Sequence, residues 1–301
     1  MSFKLHFLGT GGMVPTKERN VQSIYLDYKG EGILLDCGEG AQRQMNIAGI
    51  ARTKIKKILI THWHGDHVSG LIGLIQTIGN AKEVSDISIY GPIGTKKFVN
   101  NLLNSCIFDL SINLNVIELD LSKKKIFFEN DYYYLEAAPL NHSVPCLGYS
   151  FVEKDRRRIN MVEAEKRGLS QGPELGEIQK GLSVKIKNDV VMPDDVSTIV
   201  RGKKVTLIAD TSFSVNAQDL ASESDLLICE ATYMKKEENK ADEYSHLTSE
   251  QSALIASHVG AKKLVLTHFS QRYKDLNDLL EEAKNIFPQT QLAYDFMKFK
   301  I

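Results

Sequence analysis

The chain has 301 residues, 43% of them hydrophobic and 25% charged, with a formal net charge of −1. That is an ordinary globular balance, and no apolar run approaches the roughly 20 residues of a membrane-spanning helix. A near-neutral molecule exerts no long-range pull on phosphate, so any contact with nucleic acid must come from a local basic patch. The opening, Met1 to Leu5, lacks the long apolar stretch and small-residue cleavage site of a secretory leader. The four cysteines, Cys37, Cys106, Cys146 and Cys229, form no Cys-x-x-Cys pair, which points to buried, reduced thiols and a cytoplasmic location.

In chain order, Lys4 to Gly9 reads as a short strand that ends at Gly9-Thr10-Gly11-Gly12. Val21 to Asp27 and Gly32 to Asp36 read as a hairpin about the turn Tyr28-Lys29-Gly30-Glu31. Ala41 to Ala48 fits a helix, Ile55 to Ile60 a buried strand, Val68 to Ile78 a helix, Ile87 to Tyr90 a strand and Lys96 to Leu103 a helix. Ile126 to Ala138 forms a hairpin with Glu129-Asn130-Asp131 at its tip. Further strands are expected at Lys203 to Ile208, Leu226 to Ile228 and Leu264 to Leu266, and further helices at Ala217 to Ala221, Ser249 to Val259 and Leu276 to Ile286. Strands alternating with helices through both halves indicate a layered α/β fold.

Residues 153–200 differ. They open on Lys154-Asp155-Arg156-Arg157-Arg158, hold one short candidate helix (Glu163 to Arg167), and are punctuated by Gly172-Pro173, Gly176, Gly181 and Pro193. With few long apolar runs, they read as an insertion projecting from the main body, without a core of its own. A plain surface loop is the alternative.

Three strands share one form. Lys56-Lys57 leads Ile58-Leu59-Ile60-Thr61 to His62; Lys203-Lys204 leads Val205 to Ala209 and then Asp210; Lys262-Lys263 leads Leu264-Val265-Leu266-Thr267 to His268. Each is apolar through the middle and ends in a metal-ligand type of residue. Sites in α/β sheets gather outside the carboxyl ends of strands, so the three ends should meet. The first continues as His62-Trp63-His64-Gly65-Asp66-His67. In extended chain, His62 and His64 project to one side, while Asp66 and His67 fall at the start of the next helix. Imidazole and carboxylate are zinc ligands. Four donors so closely spaced serve two adjacent ions better than one, with His62 and His64 on one ion and Asp66 and His67 on the other. Taken singly, Asp66 is equally a helix cap and each histidine equally a packed or surface residue. Taken together, three of the eight histidines lie in this motif, and His142, His246 and His268 lie at strand ends or in turns, leaving only His6 and His258 outside.

The form His62-x-His64-x-Asp66-His67 resembles that of the metallo-β-lactamase fold family. Other segments narrow the likeness to the ribonuclease Z family of transfer-RNA 3′-processing endonucleases, in its short form. Pro15-Thr16-Lys17-Glu18-Arg19-Asn20 resembles that family's Pro-x-Lys-x-Arg-Asn loop. Glu230-Ala231-Thr232 resembles its His-Glu-Ala-Thr motif, and His246-Leu247-Thr248 its His-Ser-Thr motif. Thr267 to Tyr273 resembles its last metal motif, and Gly172-Pro173 a segment of its flexible arm. The likeness runs from Leu8 to Phe296, with Cys229 and Leu247 replacing a histidine and a serine of the motifs and the start of the arm, Asp155 to Met161, shortened.

The resemblance implies an αββα sandwich forming a single domain, 1–301, with the arm at 153–200 inserted as a substrate-binding exosite. It implies two zinc ions, for which manganese or cobalt could substitute. His62, His64 and His142 would hold one, Asp66, His67 and His268 the other, with Asp210 shared. Two nearby dications repel, and a shared carboxylate offsets that charge. The implied reaction is removal of the 3′ trailer from precursor transfer RNA by metal-activated water, leaving a 3′-hydroxyl. His246 paired with Glu230 would be the general acid, and Asp66 is the family's proton acceptor, read here as a ligand that orients the water. Lys17, Arg19, Asn20 and Arg272 would contact the substrate near the site. Gly172, Pro173 and Arg156 to Arg158 would contact it through the arm. A homodimer is also implied. The competing readings are a small-molecule phosphodiesterase or other hydrolase of the same fold, and a non-catalytic RNA-binding protein.

Overall fold

The computed structural model describes residues 3–80, 86–187 and 189–301; Met1 and Ser2 of the opening stretch lie outside the described residues. Its first hairpin shows how local chemistry sets register. Ser23–Tyr28 pairs antiparallel with Glu31–Leu35, Tyr28 opposite Glu31. Lys29 and Gly30 make the turn with φ of 54° and 86°, the left-handed pair that a two-residue hairpin requires.

This hairpin lies in a seven-stranded sheet ordered Lys298–Lys300, Lys4–Gly9, Ser23–Tyr28, Glu31–Leu35, Ile55–Leu59, Asp86–Gly91, Asn113–Glu118. Pairing is antiparallel on the side of the hairpin and parallel from Glu31–Leu35 onward. A second seven-stranded sheet runs Thr290–Leu292, Leu264–Thr267, Leu226–Glu230, Lys204–Ile208, Cys146–Glu153, Tyr133–Leu140, Lys125–Glu129. Its first four strands are mutually parallel. Leu26, Ile33 and Leu35 of one sheet face Leu135, Tyr149 and Leu207 of the other. Helices cover the outer faces. Met45 of Ala41–Ala48 and Leu74, Ile75 and Ile78 of Leu71–Gly79 pack on the first sheet. Leu220, Ala253, Ile255 and Leu279 pack on the second. Two sheets between helical layers are the expected αββα sandwich.

The helix expected over Val68 to Ile78 is divided into Gly65–Val68 and Leu71–Gly79. Gly70 donates its N–H to the Cys37 carbonyl at 2.9 Å, and a Cβ on Gly70 would lie 2.2 Å from the Gly38 carbonyl oxygen. Close backbone approach interrupts the helix, a constraint that hydrophobic periodicity does not register. Cys37, Cys146 and Cys229 are buried as expected, whereas Cys106 is exposed.

The chain divides into two compact units: Met1–Phe128, Leu135–Phe151 and Lys204–Ile301; and Glu129–Tyr134 with Val152–Lys203. The second unit has more internal structure than its sequence suggests. Arg156–Ile159 pairs with Ser197–Val200 and Val184–Ile186 with Asp189–Val191. Three short helices, Met161–Lys166, Pro173–Gln179 and Pro193–Val196, are also described in it. Ala164, Leu169, Ile178, Val191 and Val196 form a small buried cluster, so the segment does have a core, assembled from scattered apolar residues in place of long runs.

The two sheets of the first unit are tied where the first reaches its histidines. Tyr149 donates its hydroxyl to the Ile60 carbonyl at 2.7 Å, and Leu147 donates its N–H to the Thr61 carbonyl at 2.9 Å. Tyr149→Phe leaves the Ile60 carbonyl without that buried donor, at a cost of about 1–3 kcal/mol. A melt of the variant should show Tm lower by about 2–4 °C per kcal/mol lost; an unchanged Tm means that this tie does not stabilise the fold.

Candidate metal centre

The expected convergence of strand ends is found. The first sheet delivers His62, His64, Asp66 and His67 just past Ile55–Leu59. The second delivers Asp210 just past Lys204–Ile208 and His268 just past Leu264–Thr267. His142 follows Tyr133–Leu140. One donor atom each from His62, His64, His142 and Asp210 lie within 4.8 Å of one another; so do those of Asp66, His67 and His268, and those of Asp210, His246 and His268. Asp210 stands among five imidazoles, at 3.3 Å from His268, 3.5 Å from His67, 3.7 Å from His62 and 4.0 Å from His142 and His246. Asp66 does not cap the helix Gly65–Val68 through its side chain. Instead its Oδ2 accepts the N–H of Met13 at 2.6 Å and lies 3.4 Å from His268 Nε2.

The outer nitrogens of the imidazoles are held by the surrounding protein, which fixes their tautomers. His67 Nδ1 donates to Asp36 Oδ2 at 2.7 Å, and His142 Nδ1 to the Ser245 carbonyl at 3.1 Å. Thr61 Oγ1 donates to Asp36 Oδ2 and accepts from His62 Nδ1 at 3.0 Å. Thr232 Oγ1 donates to Glu230 Oε2 and accepts from His268 Nδ1 at 2.9 Å. Each Nε2 is thereby turned inward, where nitrogen faces nitrogen: His67 Nε2 is 3.3 Å from His268 Nε2, and His62 Nε2 is 3.0 Å from His64 Nδ1. Asp210 Oδ1 is buried without a hydrogen-bond partner. Lone pairs converging on one buried space, with their second nitrogens anchored, form the donor set of a metal site. The residues therefore fit the expected metals.

Protonation follows burial and charge. Burial, then the His67 charge, hold His62 well below its ordinary range, and burial likewise lowers His64. Both imidazoles are thus held towards the neutral form that a metal ligand requires. Burial opposes ionisation of Asp210, but His268, His67 and His62 hold its carboxyl well below the usual range. Burial also opposes ionisation of Asp66, but the His268 hydrogen bond and the His67 charge hold it low. His246 is opposite in kind. Burial works against its protonation, yet the Glu230 carboxylate, and then Asp210, raise it to about 9. Its Nδ1 is 3.1 Å from both oxygens of Glu230, a fully buried carboxylate that also accepts the Thr211 N–H at 2.8 Å. The Glu230–His246 ion pair is thus a largely buried one.

Asp36 and Thr232 were not singled out in the sequence. The signal was there for Asp36, since Glu31–Leu35 is another apolar strand followed by a carboxylate. The departures from the family motifs are accommodated: Cys229 and Leu247 are both buried in the core of the second sheet. Burial, foremost, pushes the Cys229 thiol up to about 12.

The other candidates are placed less uniformly. Lys17 is exposed. Arg19 donates Nη2 to the Tyr273 carbonyl at 2.5 Å. Asn20 donates its side-chain amide to the Glu39 carbonyl at 2.7 Å and its backbone N–H to Asp295. Arg272 lies over the Tyr233 ring and 3.4 Å from Glu237. Gly172 and Pro173 open the helix Pro173–Gln179 in the second unit. In the same unit, Arg157 is paired with Asp194 at 2.6 Å, while Arg156 and Arg158 are exposed.

Comparison with known proteins sharpens the picture. Over 98% of its length the chain is 40% identical to a ribonuclease Z from Methanothermobacter thermautotrophicus, covering 95% of that protein. It superposes on human tRNase Z, short form, with a TM-score of 0.74 and 29% identity, covering 98% of each chain. It superposes on YhfI from Bacillus subtilis, a metallo-β-lactamase fold protein, with a TM-score of 0.71 and 16% identity, covering 100% of this chain and 99% of that one; at that identity the likeness concerns the fold alone. The family described as Anti-Pycsar protein Apyc1 matches residues 3–106.

Asp36→Asn keeps the shape beside His67 but removes the charge that orients it. Metal affinity should fall about 10- to 100-fold, read by competition with a chromophoric chelator. Unaltered affinity would show that Asp36 serves the fold only.

Proposed function

The chain belongs to the ribonuclease Z family, and we propose that it is a zinc-dependent endoribonuclease that removes the 3′ trailer of precursor transfer RNA and leaves a 3′-hydroxyl. The observation that carries this reading is the pair of donor sets meeting at Asp210, with the Glu230–His246 pair beside it. His62, His64 and His142 would hold one zinc, Asp66, His67 and His268 the other, and Asp210 both; manganese or cobalt can replace zinc in such donors. Bound there, the metals supply Lewis-acid charge for a phosphate and a lowered pKa for water.

The protein's own part is positioning and proton supply. Asp66, tied to Met13, orients the attacking water and, as a ligand, is a weak base. His246 gives its proton to the departing ribose 3′-oxygen. With Nδ1 on Glu230, its Nε2 is the donor, and the buried carboxylate keeps the ring charged until transfer. Lys17 and Arg272 contact phosphates near the cut. Arg19 and Asn20 act by shaping the loop that carries Lys17. The second unit is the arm, an exosite in which Gly172, Pro173, Arg156 and Arg158 contact the body of the transfer RNA, whose shape sets the position of cleavage. A cytoplasmic homodimer, the arm of one subunit serving its neighbour, completes the proposal.

The test is incubation with a precursor transfer RNA bearing a 3′ trailer, with chelated protein and His64→Ala as controls. A single cut after the unpaired base that follows the acceptor stem, lost in both controls, is expected. No such cut, with metal-dependent hydrolysis of a small phosphodiester retained, would make the protein a small-molecule phosphodiesterase. His246→Ala and Glu230→Gln should each lower kcat about 10²- to 10⁴-fold with metal content unchanged; equal loss of metal would place the pair in the metal shell instead. Deletion of residues 155–192 should abolish cleavage of precursor transfer RNA and spare a small phosphodiester; equal loss of both would give the arm a structural role.

A further inference from the structure

A cavity with a volume of about 470 Å³ lies away from the metal centre, at the start of the strand Lys4–Gly9. The other end of that strand leads to Gly12, which packs against the His268 ring. Its wall includes Lys4, His6, Tyr25, Lys54, Lys298 and Lys300. His6, one of the two histidines outside the metal pattern, is accounted for here.

Three features point to an anionic ligand. The first is register. Lys4 sits directly opposite Lys300, and His6 directly opposite Lys298, across the antiparallel pair of edge strands. The like charges of Lys4 and Lys300 are unfavourable in that position, and an anion seated between them reverses the sign of the interaction; His6, which burial and then Lys298 hold towards its neutral form, is a hydrogen-bonding group there. Second, none of Lys4, Lys54, Lys298 and Lys300 forms an ion pair among the described residues. The one carboxylate in the wall, Asp27, lies opposite Lys4 on its other side and accepts the Gly30 N–H at 3.0 Å. Third, two polar atoms of the wall residues, His6 Nδ1 and Tyr25 Oη, are buried without a hydrogen-bond partner, and Tyr25 is only 2% exposed. Buried polar groups are nearly always paired. The apolar part of the wall, Ile50 and Phe299, offers a surface to a ring.

We propose that this cavity is a binding site for a small phosphate-bearing molecule of nucleotide size, its phosphates held by the lysines and its ring lying on the apolar wall. The volume falls in the range of small-ligand sites and is too small for a folded RNA. The site is independent of the proposed nuclease activity.

Calorimetric titration of the metal-loaded protein with ADP, and separately with inorganic phosphate, tests the proposal. Lys54 and Lys298 are exposed, so the double variant Lys54→Ala/Lys298→Ala should fold, as circular dichroism will verify. Loss of two charge-assisted contacts should weaken ADP binding by about tenfold or more. Binding to His64→Ala should be unchanged, because the metal centre is not the site. Tighter binding of ADP than of phosphate supports the proposal; equal binding of both shows that the apolar wall holds no ring and overturns it. No binding of either at millimolar concentration overturns the proposal. So does binding that survives in the lysine variant or disappears in His64→Ala.

Discussion

Asp210 is a carboxylate enclosed by five imidazoles, all within 4.0 Å and itself almost wholly buried. An isolated buried carboxylate costs several kcal/mol, and charged imidazoles packed together repel. The arrangement is favourable only where positive charge stands at the centre in a form that all the lone pairs can share. A metal ion does this, and protons do it poorly, because each proton serves one nitrogen and leaves others facing each other. Metal affinity and local order are therefore one property here, and ligands with fixed outer nitrogens lose little entropy when the ion arrives.

The surrounding backbone accepts strain to hold this geometry. His268, Ser245 and Asp36 are non-glycine residues with φ of 57°, 56° and 55°. Such conformations cost on the order of 1–3 kcal/mol and persist where their surroundings over-determine them. Each has a purpose. His268 packs its ring against Gly12, where a Cβ would lie 2.6 Å away. Ser245 gives its carbonyl to His142, and Asp36 gives its carboxylate to Thr61 and His67. The glycine-rich turn is thus read as a packing requirement as well as a turn: it brings backbone to both His268 and Asp66.

Much of this was legible in the sequence, for a physical reason. Strands that end in His62, Asp210 and His268 announce themselves because an apolar run must stop where a polar ligand begins, and the layered fold then makes the ends meet. What was not legible depends on side chains acting at a distance. Cys146–Glu153 is a buried central strand, but Gly148 and Ser150 interrupt its apolar run. Gly148 is there because a Cβ would lie 2.8 Å from Leu220, and Ser150 because its hydroxyl bonds Thr206. The edge strand Asn113–Glu118 alternates asparagine with Leu114 and Val116, which pack on the first core, and takes its place from pairing with Asp86–Gly91. The core of the second unit was hidden for a similar reason, its five buried residues being spread over helices and a hairpin. Thr232 is the clearest case at the site. It has no chemistry of its own, yet its hydroxyl joins Glu230 to His268, and so links the proposed proton donor to the metal shell.

Alternation along a strand also limits how the second unit can meet RNA. Three consecutive arginines suggest three phosphate contacts, but Arg156–Ile159 is a strand, and its residues face opposite ways in turn. Arg157 is spent on Asp194 and Ser197, leaving Arg156 and Arg158 on the other face. Each phosphate neutralised adds roughly 0.7–0.9 to the slope of log affinity against log salt, so in the proposed arm the two arginines of this strand would contribute a slope of about 1.4 to 1.8. With a net charge of −1, the protein has no general attraction to add. Under the proposed function, tight binding would come from the sum of several small local sites engaged at once, and a substrate long enough to reach only one of them would be held weakly. For the proposed arm, selection for the whole folded substrate over short RNA would follow from that arithmetic, without any residue having to read a base.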